Sequence, residues 1–341
     1  MYSQIVETHA DVDDYRAKAE LLESELAASI SAMEPVVSER NIVNRDFQFH
    51  LEEGSNAWEM GDKATWLIHK KLREPFQKRL SPLRTKIEQI KNSNAKLVDE
   101  LVSLYDVIDR ADGKYFEYTS DRLGTAGKTI NFPDNTPEWH QQRAKGIGGS
   151  DVGAIMGESP WNTREDIFQL KTGQVLPEIK TKGEGALWRG SVWENYIARQ
   201  FAIRNPDKVL VHCKASWMND NRQHQFANID GLLYEPGSDI PDSILEIKTS
   251  STPFSWEYGV PAYYRMQVLW YMDAFGIKKG YLAVMIDDST FKQYEVVPRP
   301  GEMERIHAEV DSFVAEVEEY KVNKEKYDAI KATRLEALRP A

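Results

Sequence analysis

From Leu80 to Ile108, apolar residues recur at alternating steps of three and four: Leu80, Leu83, Ile87, Ile90, Leu97, Leu101, Leu104 and Ile108. Asn94 fills the one polar slot. A seven-residue repeat held over about four heptads commits a segment to α-helix packed along a seam on another helix. Ser81 can cap this helix and Pro82 can open it. An earlier helix from about Asp11 carries Tyr15, Ala19, Leu22, Leu26 and Met33 at similar spacing, and Pro35 interrupts or bends it. Residues 1–112 therefore read as an all-α module, a helical hairpin or coiled coil, with heptads packed within the chain or between chains. Asn94 at a seam position suits a register-setting role.

The pattern then changes. Residues 113–135 are polar, contain Gly113, Gly124, Gly127 and Pro133, and read as a linker. Beyond them short strands alternate with helices. Strands are expected at 209–212, 225–230, 244–249, 281–287 and 291–297, and helices at 164–171, 186–204, 261–275 and 302–324. Residues 136–341 are thus expected to form an α/β (α+β) domain, a central mixed sheet flanked by helices.

Composition narrows the function classes. The 341 residues contain one cysteine, Cys213, which excludes an intramolecular disulfide or a thiolate cluster from this chain. No apolar run approaches the roughly 20 residues that span a bilayer, and the first residues lack the basic-then-apolar order of a secretion signal. A cytoplasmic protein without a membrane partner is expected. The net charge of −11 argues at first sight against nucleic acid. The charge is uneven, however. Residues 70–91 hold eight bases, including Lys70, Lys71, Lys78 and Arg79, against Glu74 and Glu88. That run is either a solvated helix face or an arm that tracks phosphates. Residues 302–319 hold seven acids against Arg305, so that helix should face away from any DNA.

Five short segments carry residues suited to chemistry. In Ile244-Leu-Glu-Ile-Lys-Thr249 the strand period places Glu246 and Lys248 on one face, as a surface ion pair or a site. Asp230-Gly231 ends another strand, as an ordinary turn or as a second carboxylate able to share a hard divalent cation with Glu246. Glu194 shares a helix stripe with Gly190, Ile197 and Phe201, where an unpaired charge is costly; it snorkels at the edge or meets a metal or lysine. Gln267 and Tyr271 lie one turn apart on a packed helix, as boundary residues or as part of the same site. Gly148-Gly-Ser150-Asp presents backbone N–H groups and a hydroxyl near Arg143, which suits an anion, although Ser150 equally reads as a plain helix cap. Trp139, Trp161, Trp188, Trp193 and Trp256 lie near these segments; most aromatics are core, but one could stack on a frayed DNA end.

Taken in order, Arg143…Gly-Gly-Ser150-Asp, Gly190…Glu194, Asp230-Gly, Glu246-Ile-Lys248 and Gln267 resemble the YqaJ-type viral recombinases, which include the phage lambda exonuclease family of the PD-(D/E)XK nucleases. The resemblance spans about residues 136–325 and excludes the N-terminal module. Ile229 stands where the superfamily name has proline. The Gln267/Tyr271 pair also resembles the helix of RecB-like nucleases. The resemblance implies a Mg²⁺-dependent 5′→3′ exonuclease on double-stranded DNA ends, with Mn²⁺ as substitute, that leaves 3′ single strands for recombination. It implies Asp230, Glu246 and the Ile247 carbonyl as metal ligands, with Glu194 assisting and Lys248 orienting and activating water. Gln267 would sit beside Lys248 and the scissile phosphate, and Arg143 and Ser150 would bind the 5′-terminal phosphate. Partners implied are a single-strand annealing or single-strand-binding protein, and further copies in a trimeric ring. Competing readings are a structure-selective endonuclease on the same site and a non-catalytic scaffold.

Overall fold

The computed structural model describes residues 9–111, 117–118, 126–130, 136–176, 186–213, 216–251 and 253–337. Two long antiparallel helices, α1 (His9–Glu59) and α2 (Lys63–Ala111), form a hairpin. Leu22, Leu26, Met33 and Val43 are buried along its seam with Leu80, Ile87, Val98, Leu101 and Ile108. The heptads therefore pack within the chain. Asn94 is fully buried there, and its Oδ1 accepts from Ser29 Oγ at 2.5 Å. That polar pair favours this register of the two helices, because a slipped seam would strand Oδ1 as well as Nδ2, which already has no partner among the described residues.

The expected start at Ser81 is corrected. α2 opens at Lys63, behind Asp62, whose Oδ1 accepts from Thr65 N at 3.1 Å. It runs through Pro75 and Pro82, as α1 runs through Pro35. Proline costs about 3 kcal/mol inside a helix, which packing along so long a seam outweighs.

The polar segment 113–135 does more than connect. β1 (Glu117–Tyr118) pairs with β3 (Val209–Cys213), and β2 (Ala126–Ile130) pairs with β4 (Ser216–Asn219). It supplies an edge strand to each of two sheets. Edge strands need only one row of backbone partners, so a polar, glycine-bearing sequence suffices.

Short helices α3 (Pro137–Arg143), α4 (Gly149–Ile155) and α5 (Arg164–Lys171) precede α6 (Ala186–Arg204). The strands β5 (Phe226–Asn228), β6 (Gly231–Tyr234) and β7 (Pro241–Ser250) follow β4. Next come a 3-10 turn (Pro253–Trp256), α7 (Ala262–Phe275), β8 (Gly280–Ile286), β9 (Thr290–Val296) and α8 (Glu302–Ala337). A three-stranded sheet has the order β2-β4-β5. The main sheet has the order β1-β3-β6-β7-β8-β9 and is mixed, with β7 and β8 parallel and joined through α7. The mixed sheet flanked by helices, behind an all-α N-terminal region, is as expected. No described helix is long and apolar enough to cross a membrane.

Alternation along β7 and β8 divides the core. Ile244, Leu282, Val284 and Ile286 pack with α7 and α8 residues such as Val268, Leu269, Ile306 and Phe313. Leu245, Ile247, Ala283 and Met285 join Trp193, Ile197 and Phe201 of α6, and that cluster continues into Leu22, Leu26, Leu101 and Leu104 of the hairpin. Between β8 and β9, Asp287 and Asp288 both take positive φ, 51° and 57°. This tight turn holds the Asp287 carboxylate against two hairpin cations, Lys91 Nζ at 2.9 Å and Arg40 Nη2 at 3.1 Å.

Candidate active site

The chain leaves the small sheet at β5 and enters the large one at β6, and Asp230 sits at that crossing. It is not a hairpin turn. A Cβ at Gly231 would lie 2.6 Å from the Leu210 Cδ1 methyl, so a larger residue there would have to push that side chain aside. Asp230 Oδ2 accepts from the backbone N–H of Ile247 at 2.6 Å, which fixes the carboxylate beside β7. Glu246 and Lys248 project from the α7 side of that strand, and they form an ion pair. Gln267 on α7 donates its Nε2 to Glu246 Oε1 at 2.5 Å and lies 3.3 Å from the Tyr271 hydroxyl. Gln267 therefore grips the acid itself. Glu194, Asp230, Ile247 and Lys248 line one cleft of about 300 Å³, with Gly190 and Tyr264. The structure thus gathers residues from α6, the β5–β6 crossing, β7 and α7.

Burial, together with the Asp230 charge, pushes the Glu246 carboxyl up to about 8 despite Lys248 beside it. Burial alone would depress the Lys248 ammonium, but Glu246 and Asp230 overcome this and raise it, so Lys248 stays charged. Burial also raises the Tyr264 phenol to about 12, so it stays neutral over the cleft. Both Lys248 Nζ and Gln267 Nε2 engage Glu246 Oε1, whereas the buried Oε2 has no hydrogen-bond partner among the described residues. An orphaned carboxylate oxygen beside a second carboxylate is costly unless a cation meets it. The donor set fits a hard divalent ion that keeps several waters.

The carboxylates are looser than the family resemblance implies. Among the described residues no three His, Cys, Asp or Glu side chains gather closely enough to hold a metal. Glu194 lines the cleft and its charge helps raise Glu246, but it does not complete a three-acid cluster.

The glycine turn lies against the same helix. Arg143 Nη2 donates to Ser150 Oγ at 2.7 Å, and its guanidinium stacks on Trp139. Ser150 is not the cap of α4; Gly148 is, and its N–H donates to Asp151 Oδ2 at 3.0 Å. Two residues that sequence reasoning missed hold this corner. Buried Asp151 pairs with Lys171 at 2.8 Å, and Lys171 also donates to the Arg143 carbonyl at 2.8 Å. Burial raises the Asp151 carboxyl, but Lys171 and Arg143 outweigh it and hold it below the usual range. Asp151 follows Ser150 in the motif and was findable; Lys171, at the end of the next helix, left no sequence signal.

Gly149 couples the two parts. A Cβ there would lie 2.6 Å from the Tyr271 ring and 2.8 Å from Gln267 Cγ. Gly149→Ala should therefore displace Gln267 from Glu246. We expect a folded protein with reduced turnover, checked by circular dichroism beside a nuclease assay.

Of the tryptophans, Trp193 and Trp256 are core, whereas Trp161 is 63% exposed and packs edge-on against Tyr263. The Trp188 side chain lies outside the described residues. Lys70, Lys71, Lys78 and Arg79 are exposed on α2 and are not brought to the cleft; Arg79 reaches Glu39 of α1 at 3.4 Å. A larger cleft of about 440 Å³ includes Arg265 and Glu302, but these two satisfy each other at 2.7 Å.

Residues 138–277 match the family of the YqaJ-like viral recombinase domain. The resemblance drawn from the motif order is therefore borne out over this segment. The chain is similar to the uncharacterized protein YqaJ of Bacillus subtilis (strain 168), at 34% identity over 183 residues, covering 52% of this chain and 54% of that protein. The chain thus spans about half the length of the curated relative it matches. An alkaline exonuclease (LHK-Exo) from Laribacter hongkongensis matches at 20% identity and a TM-score of 0.46, covering 59% of this chain and all of that one. Its complex with dAMP matches at 19% identity and the same TM-score, with the same coverage.

Proposed function

We propose that this protein is a divalent-metal-dependent exonuclease that degrades double-stranded DNA from its 5′ ends, with the nuclease core in residues 136–341. The observation that carries this reading is Glu246: one oxygen is gripped by Lys248 and Gln267, and the other is bare beside Asp230. Asp230, Glu246 and the Ile247 carbonyl would hold Mg²⁺ or Mn²⁺, with Glu194 meeting it through water. The bound ion would supply an acidified water and charge neutralisation at the scissile phosphate. The protein's own groups do the rest. Lys248, held charged, donates to the attacking water and to phosphoryl oxygen and so orients rather than deprotonates. Gln267, with Tyr271 behind it, keeps Glu246 aimed. Arg143 and Ser150, braced by Asp151 and Lys171, take a terminal 5′-phosphate. Trp161 offers a ring to a terminal base.

The test uses three labelled duplexes with Mg²⁺: linear with 5′-phosphate, linear without it, and covalently closed circular. We expect loss of 5′ label first, slower decay without phosphate, and an intact circle. Cutting of the circle would favour an endonuclease, and no cutting of any duplex would favour a scaffold.

The basic run on α2 is part of the same reading, as an extended phosphate-tracking surface. Reversing the charge of Lys70, Lys71, Lys78 and Arg79 should weaken DNA binding and flatten its salt dependence. An unchanged salt slope would remove the arm from the DNA path.

Metal binding should depend on pH with a definite sign. Glu246 binds its proton up to about pH 8, and the ion competes with that proton. Calorimetric titration with Mn²⁺ should show affinity rising toward about pH 8, by at most about tenfold per pH unit, then levelling. Glu246→Gln should bind weakly with no such rise.

A further inference from the structure

Past Arg40 and Lys91 the hairpin leaves the rest of the molecule. Among the described residues, the hydrogen bonds and ion pairs of residues 41–86 stay within the hairpin. At 1.5 Å per residue, this is an arm of about 30 Å. One flank of it is apolar and bare. Ile42 and Phe49 are exposed on α1, two helical turns apart, and Met60 is exposed in the turn just past its end. Ile68, Leu72 and Pro75 are exposed on α2 at steps of four and three. In an antiparallel pair these two flanks fall on the same side of the hairpin. Phe49 is 56% exposed and Leu72 45%, at adjacent heights given that His50 meets His69.

The arm is also electrically split. Residues 41–60 carry Asp46, Glu52, Glu53 and Glu59 against Arg45, whereas residues 63–86 carry eight bases against Glu74. We propose that the apolar flank is covered by the same flank of a second copy of this chain, forming a four-helix bundle of two arms. Charge selects between the two ways of stacking them. A two-fold axis along the arm lays α1 of one copy on α2 of the other, acid on base. An axis across the arm would lay α2 on α2, base on base, which is repulsive. The pairing therefore puts both tips at one end and both bodies at the other. Lys71 and Lys78, on the outer face of α2, stay open to solvent.

Light scattering on the full chain tests this, without reliance on the nuclease reading. The wild type is expected at an even multiple of the chain mass, twice it where the arms are the sole interface. Phe49→Glu with Leu72→Glu is expected to halve that mass while leaving helix content unchanged. Because Cys213 is buried, Met60→Cys supplies the single reactive thiol, and a short bis-maleimide should join the two copies through their tips. A monomeric wild type at high micromolar chain overturns the proposal. So does an oligomer that keeps its mass in the Phe49/Leu72 variant, or a Met60→Cys protein that does not crosslink.

Discussion

Lys248→Ala is expected to reduce phosphodiester cleavage by about 10²–10⁴-fold, with the fold intact. The loss has two sources. On the proposed mechanism it removes the cation that would orient the attacking water, and it takes away one of the two donors on Glu246 Oε1. Single-turnover cleavage of a 5′-labelled duplex measures the effect. Asp230→Ala should be as severe, because Asp230 links the β5–β6 crossing to the Ile247 amide as well as facing the cleft. DNA binding without added metal should change little in either variant. Wild-type turnover in Lys248→Ala or Asp230→Ala would move the chemistry to another part of the molecule.

Arg40→Ala with Lys91→Ala is expected to destabilise the protein by about 3–5 kcal/mol, the usual result of stranding a buried charge. Asp287 is nearly inaccessible, and these two cations bond its two carboxylate oxygens separately. With both gone, each oxygen loses its charged partner at a site with little access to solvent. Thermal unfolding followed by far-ultraviolet circular dichroism should show a lower Tm, and Asp287→Asn in that background should recover part of it. A double variant with the wild-type Tm would mean that the hydrophobic seam alone docks the hairpin.

The site was legible where chemistry leaves local spacing. Glu246 and Lys248 share a strand face by period two, Gln267 and Tyr271 share a helix face by period four, and the structure brings both pairs together. The helices 164–171 and 186–204 coincide with their expected limits, the first capped by Thr163 and the second carrying a buried apolar stripe at Trp193, Ile197 and Phe201. What stayed hidden depends on tertiary contact. Lys171 joins Asp151 only after α5 packs on α4, and Tyr264 reaches Lys248 only after α7 crosses from β7 to β8. The start of α2 was misplaced because Pro82 reads locally as an opening residue, whereas the decisive force is the partner helix, seen in buried Leu80 and Ile87 on either side of it.

The shared core of α6 and the hairpin sets a practical limit on dissection. A fragment cut to residues 138–277 would keep Trp193, Ile197 and Phe201 but lose Leu22, Leu26, Leu101 and Leu104 from the same cluster, and the Arg199 guanidinium would lose the Tyr105 ring it covers. Its β7 would also lose β8 as a neighbour. Such a piece would expose a greasy strand edge and one bare helix flank, so it should precipitate on expression. The smallest soluble unit would have to begin within α1 rather than at the first motif.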